Sequence, residues 1–123
     1  MEPAREYTVL NQDRGSAVAK RVRIAGTSRA RRDGLLNVSE LDAEAGLWIA
    51  PCEAVHTFGM RMPIDVLFLD REFRVRKVRY ALKPRRLAVC LRADSVLELA
   101  AGAVARSATS LGDRLKFSVI ACG

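Results

Sequence analysis

The sequence predicts a mostly β, α+β fold: a small antiparallel or mixed sheet, or a partly closed barrel, of about seven strands with two or three short helices. Three observations carry this expectation. Short apolar or alternating runs recur along the chain, each bounded by Gly, Pro, Asn or Asp, as in strands joined by turns. Helical signals are few and short, the Ala-rich stretch Ala100–Ala108 among them. Half of the 123 residues are hydrophobic, which is enough to build a core and argues against disorder. A chain of this length is read as one domain, 1–123, burying roughly two-thirds of its unfolded surface.

The elements follow in order. Tyr7–Leu10 is a short strand, and Asn11–Gly15 is a turn of residues that tolerate turn geometry. From Ala17 to Ile24, Val18, Val22 and Ile24 share one parity while Ala19, Arg21 and Arg23 share the other. This half-buried pattern makes a hairpin with the first strand. Thr27 or Ser28 caps a short helix over Arg29–Asp33, which Gly34 ends. Ser39–Glu44 reads as a second capped helical turn, stopped at Gly46. Leu47–Ala50 is a buried strand that Pro51 terminates, because proline has no N–H for a ladder.

Pro63 sets the start of the strand Ile64–Leu69, whose run Val66–Leu69 reads as buried on both faces. After a tight turn at Asp70–Phe73 comes a strand from Phe73 to Tyr80. Phe73 and Val75 share one parity and Val78 and Tyr80 the other, so a β-bulge near Arg76–Lys77 is expected. Lys83–Arg86 is a loop. Leu87–Leu91 and Ser95–Leu99 are short strands, and Ala100–Ala108 suits a two-turn helix. Leu111–Asp113 is a turn, and Leu115, Phe117 and Val119 alternate with Lys116 and Ser118 in a last strand.

Several function classes lack support. No apolar run approaches the ~20 residues of a membrane span. The first residues contain no apolar signal core, so a cytoplasmic location is expected. Cys52, Cys90 and Cys122 are odd in number and widely spaced, which fits neither a disulfide framework nor a zinc site. They read as small buried hydrophobes, except Cys122, which is expected to be exposed and inert. No phosphate-cradling loop, dinucleotide fingerprint or nucleophile elbow is present, and no cofactor or metal is expected.

Charge is distributed unevenly. The net charge is +7, and 17 of the 21 basic residues are arginine. Between Arg71 and Arg92 stand nine basic residues and one acid, Glu72. Such a stretch is either a solvated strand face or a surface for non-specific nucleic-acid contact, though only Phe73 and Tyr80 offer rings for base stacking.

The segment His56–Asp70 concentrates the chemistry. His56 is the sole histidine, suited to hydrogen bonding at a strand end, to ligand contact or to proton transfer. Cys52 lies four residues earlier and meets it only if the intervening loop folds back, as a thiolate–imidazolium pair would require. Asp65 opens a buried strand and needs a partner, and Arg61 is the nearest cation in sequence. That pair is either a structural salt bridge or an anion clamp in which Asp65 orients Arg61. Glu98, among Val96, Leu97 and Leu99, points outward, or inward with a raised pKa. Asp70 and Asp113 sit where turn carboxylates accept backbone N–H bonds. Met60 and Met62 read as packing, and Trp48 as core with an indole N–H in need of an acceptor.

Four segments together carry a resemblance: Gly46–Cys52, His56–Asp70, Val96–Gly102 and Leu111–Leu115, with Arg31–Leu36 fitting upstream. Over about residues 16–118 the chain resembles domain-of-unknown-function family 192 of bacteria and archaea. The resemblance implies a small, mostly β domain with short helices. Many members carry an export signal that this sequence does not show. No activity or catalytic residue comes with it.

The expected function is therefore a non-catalytic binding or accessory module. Its ligand, an anionic small molecule or a peptide terminus, would dock on Arg61 in a polar pocket with Cys52, His56, Asp65 and Glu98. Polyanion contact through residues 71–92 is one alternative. The other is a small enzyme using His56 with Cys52 or Glu98.

Overall fold

A computed structural model describes residues 5–25, 35 and 40–120. Among them are nine strands: β1 (Glu6–Asn11), β2 (Ser16–Ala25), β3 (Ala45–Ile49), β4 (Ala54–His56), β5 (Ile64–Leu69), β6 (Val75–Leu82), β7 (Leu87–Val89), β8 (Ser95–Ala100) and β9 (Leu115–Val119). One short helix, α1 (Ala103–Arg106), follows β8. Seven strands form one sheet in the order β6-β5-β8-β3-β2-β1-β9, and β4 pairs with β7 in a separate ribbon. All pairs in the large sheet are antiparallel except β2–β3.

The large sheet curls into a half-barrel. Its two edges meet at one end, where Arg74 and Arg114 form a β-bridge. The Val75 N–H donates to the Asp113 carbonyl at 2.9 Å, and the Leu115 N–H to that of Phe73 at 2.9 Å. The concave side holds one apolar cluster, including Val9, Val22, Leu67, Leu69, Leu97, Leu99 and Leu115. The convex side holds a second, with Ile64, Val66, Phe68, Val96, Met60, Val55 and Ala88. This explains β5. Its even-numbered residues pack on the convex side and Leu67 and Leu69 on the concave side, so all six are buried, as the continuous apolar run predicts.

The bulge expected near Arg76 is present. Phe68 pairs with Lys77 and Leu69 with Val75, leaving Arg76 as the extra residue. A second irregularity at Tyr80–Ala81 puts Ala81 at φ 45°.

Other elements differ from expectation. The helical turn expected over Ser39–Glu44 does not form across the described residues 40–44. Asp42 instead makes a turn, its Oδ1 accepting the Glu44 N–H at 2.8 Å, and β3 starts at once at Ala45. Gly46 is therefore a strand residue rather than a helix stop. A Cβ there would lie 2.9 Å from Leu99 Cδ2 and 3.0 Å from the Glu98 carbonyl oxygen, so close packing of β3 on β8 requires glycine. The two-turn helix expected over Ala100–Ala108 shrinks to α1. Ala100 stays in β8 and Gly102 takes a left-handed conformation, φ 98°, before the helix begins. The strand expected over Leu87–Leu91 ends at Val89. The helix expected over Arg29–Asp33, and Cys122, lie outside the described residues.

Candidate anion-binding site

The small ribbon lies against the convex apolar cluster. Val55 of β4 and Ala88 of β7 face inward, whereas Ala54, His56, Leu87 and Val89 face solvent. This is the alternation of a half-buried antiparallel pair. Beyond β4 the chain makes a tight turn, with the Met60 N–H donating to the Thr57 carbonyl at 3.1 Å. His56 and Arg61 leave the two ends of that turn, and both are exposed. Phe58 at its tip is 55% exposed, its ring 6.0 Å from the imidazole.

Thr57 is fully buried and joins this turn to the loop before β7. Its N–H donates to the Arg86 carbonyl at 2.8 Å, and its carbonyl accepts the Arg85 N–H at 3.1 Å. Its hydroxyl donates to the Lys83 carbonyl at 2.6 Å and accepts the Arg86 N–H at 2.8 Å. One side chain and its backbone thus fasten two loops together. Arg61, four residues beyond Thr57 on the first loop, and Lys83, Arg85 and Arg86 on the second are all exposed. Residues 57–62 and 83–86 contain no acidic side chain to neutralise these cations. The Arg61 guanidinium and the His56 ring form no hydrogen bond or ion pair with described residues. Arg85 holds φ 65°, a left-handed conformation costly for a side-chain-bearing residue.

The five candidate residues from the sequence do not converge in one cavity. Asp65 is not paired with Arg61. Its Oδ1 accepts the Ala81 N–H at 2.8 Å, and its Oδ2 accepts those of Gly102 and Val104, each at 3.0 Å. The carboxylate thus ties together the second β6 irregularity and the start of α1, which leaves it neither partner nor room for a ligand. Glu98 lies on the opposite face. It is opposite Leu47 of β3 and Val66 of β5, between Val96 and Ala100 on the convex side. Only 3% exposed, it leaves Oε1 with no hydrogen-bond partner. Burial pushes its pKa up to about 7.

Cys52 packs at the edge of the convex cluster, its thiol donating to the Ala54 carbonyl at 3.1 Å. The extended run Ala54–His56 carries the imidazole away from it instead of folding back. Met60 and Met62 pack on the convex cluster, as expected of wall residues. Asp70 and Asp113 accept backbone N–H bonds from Glu72 and Arg74, and from Ser110, as turn carboxylates should.

The residues missed by sequence reasoning are Thr57, Phe58, Lys83, Arg85 and Arg86. Lys83–Arg86 was legible as a cationic loop, but its contact with Thr57 spans 26–29 positions and leaves no local signature. Among the described residues no group of three or more His, Cys, Asp or Glu is placed to hold a metal ion, and no helix is long and apolar enough to cross a membrane.

The profile of a family described as "Uncharacterized ACR", DUF192, matches residues 9–117. No curated protein matches the chain. Two solved structures are similar in fold. One, from Sinorhizobium meliloti 1021, is provisionally described as a transcription regulator; it is 22% identical, with 94% of each chain covered and a TM-score of 0.81. The other, from Novosphingobium aromaticivorans DSM 12444, is a protein of unknown function. It is also 22% identical, with 90% of this chain and 83% of that chain covered and a TM-score of 0.74. At that identity the likeness speaks for the fold alone.

Proposed function

Since the chain belongs to DUF192, a family described as uncharacterised, we propose from its own site that it is a non-catalytic binding module for anionic ligands. An anionic small molecule or a peptide terminus docks on Arg61, with Lys83, Arg85 and Arg86 alongside and Phe58 and His56 at the rim. The observation that carries this reading is the Thr57 staple. It holds two cation-bearing loops in register with no acid between them. Like charges gathered on a fixed backbone repel one another, and a bound anion relieves that repulsion. Arginine suits the task because its planar donors meet carboxylate and phosphate in pairs. The fixed backbone lowers the ordering cost of binding.

Cys52, packed against the convex cluster, and Glu98, buried between β3 and β5, do not touch ligand in this reading. The Cys90 thiol, unpaired and half-buried, accords with a reducing, cytoplasmic setting. A longer polyanion is the second reading, favoured by the exposed Arg79 on β6, whereas Arg76 of the same strand is already paired with Asp70 at 2.7 Å.

The test is a thermal-shift titration with inorganic pyrophosphate, citrate and a short peptide bearing a free C-terminal carboxylate. Wild type should be stabilised by at least one of these, and Arg61→Ala and Arg85→Ala should each weaken that effect. Equal stabilisation of wild type and both variants, or none in wild type, would refute the reading.

A further inference from the structure

We propose that the outer face of the β4–β7 ribbon rests on an anionic lipid surface, whose phosphate headgroups are the ligand of the cations described above. The proposal rests on that reading of the cations and names their partner. An antiparallel pair with one buried face ordinarily carries polar residues on the other. β7 does not. Its Ala88 faces the convex cluster, while Leu87 and Val89 point the other way, 63% and 39% exposed. They stand opposite His56 and Ala54 of β4. Alternate residues along a strand lie about 6–7 Å apart and opposite residues about 5 Å apart, so these four side chains form one surface. Phe58 continues it at one end, its ring 6.0 Å from the His56 ring. Leu91 continues it at the other, 79% exposed in a turn that the Ala93 N–H closes on the Cys90 carbonyl at 3.0 Å.

Cations border this apolar line. Lys83, Arg85 and Arg86 lead into Leu87, Arg61 follows the Phe58 turn, and Arg92 follows Leu91. All five are exposed, and none forms an ion pair with a described residue. The Lys77 Nζ donates to the Val89 carbonyl at 2.8 Å, at the side of the line. Residues 54–64 and 73–93 contain no acid. Glu53 and Asp94 stand beyond the Leu91 end, and Asp94 faces Arg71 at 4.0 Å. A second copy of the chain on this face would set two groups of cations against each other. Four partly exposed apolar side chains offer roughly a few hundred Å², well under the about 800 Å² per partner of a specific protein interface. A bilayer requires no matching shape. Phe and Leu enter the headgroup boundary, while Lys and Arg lay their stems along the apolar surface and keep their charges at the phosphates. Each such cation adds attraction to an anionic leaflet.

The experiment is vesicle sedimentation, comparing pure phosphatidylcholine with equal parts of phosphatidylcholine and phosphatidylglycerol. Wild type should sediment with the anionic vesicles and stay in solution with the neutral ones. The double variant Leu87→Thr, Leu91→Gln changes two exposed side chains and no charge, so attraction owed to the net +7 alone persists in it. It should bind anionic vesicles at least roughly tenfold more weakly, the scale of withdrawing one leucine from an apolar contact. Its stabilisation by pyrophosphate should match wild type, whereas Arg85→Ala should weaken both. Equal sedimentation of wild type and the double variant would overturn the proposal. So would wild type that ignores anionic vesicles yet is stabilised by pyrophosphate; that result keeps the small-anion reading and assigns the face to a partner protein. Vesicle binding with no pyrophosphate effect would refute that reading, and with it the headgroup as ligand.

Discussion

Two buried carboxylates on neighbouring strands have opposite energetics because of what surrounds each oxygen. Asp65 has three backbone N–H donors, whereas Glu98 has an Oε1 with none. Replacing Asp65 by Asn turns one acceptor into a donor facing donors. It should destabilise the fold by about 2–3 kcal/mol, read by urea unfolding, because buried donors lose their acceptor. The pH dependence of Glu98 follows from its raised folded pKa. The folded state binds the proton more tightly, so this residue's contribution is most favourable below about 4.5 and falls as pH rises toward about 7. Glu98→Gln should therefore stabilise the protein at pH 8 relative to pH 5, by on the order of 3 kcal/mol. Unfolding curves at the two pH values test this; a variant with the same pH dependence as wild type would contradict it. Asp113 has the opposite sign. Burial raises its pKa, but hydrogen bonds from Arg14, Asn11 and the Ser110 N–H prevail and hold it low. Its contribution is present above pH 3.8 and lost as pH falls through the folded value. Sequence reasoning left Glu98 open between an outward and an inward position, and placed Asp65 in a buried strand but assigned it to Arg61. The true partners are N–H groups 16, 37 and 39 positions away, beyond any local pattern.

At the scale of elements, the Thr57 staple determines whether the two cationic loops stay together. Thr57→Val keeps the shape and removes the hydroxyl, leaving the Lys83 carbonyl and the Arg86 N–H without that partner. The expected cost is about 1–3 kcal/mol. Hydrogen exchange should quicken at residues 83–86 while β5 and β8 remain protected; unchanged exchange in that loop would show that the staple is dispensable. Strand patterns were the most legible part of the sequence. The double-faced burial of β5, the β1–β2 hairpin and the bulge at Arg76 follow from side-chain parity, whereas the alternation expected of β9 holds only through Phe117, since Ser118 is half-buried and Val119 exposed. Three-residue β4 was not legible, because a run that short carries no period. Gly46 and Ala100–Gly102 misled for a shared reason: local propensity favoured helix, while strand pairing on both sides of the β3–β8 seam prevailed.

Over the whole molecule, the half-barrel buries one apolar cluster inside and a second beneath the ribbon, and its charge is carried outside both. The net charge of +7 makes weak attraction to any polyanion unavoidable, so specificity must come from the stapled cluster. Attraction through the wider 71–92 surface should decline steeply with salt and be insensitive to Thr57→Val. Binding at the cluster should be lost in that variant at fixed salt. Salt titrations of wild type and Thr57→Val against a single-stranded oligonucleotide and against pyrophosphate separate the two.

The most direct test of the central claim is an amide chemical-shift titration of the ¹⁵N-labelled protein with pyrophosphate. The stapled cluster predicts saturable shifts confined to residues 56–61 and 83–86, absent in Arg61→Ala. Shifts spread evenly over the cationic surface, or the same shifts in the variant, would contradict it.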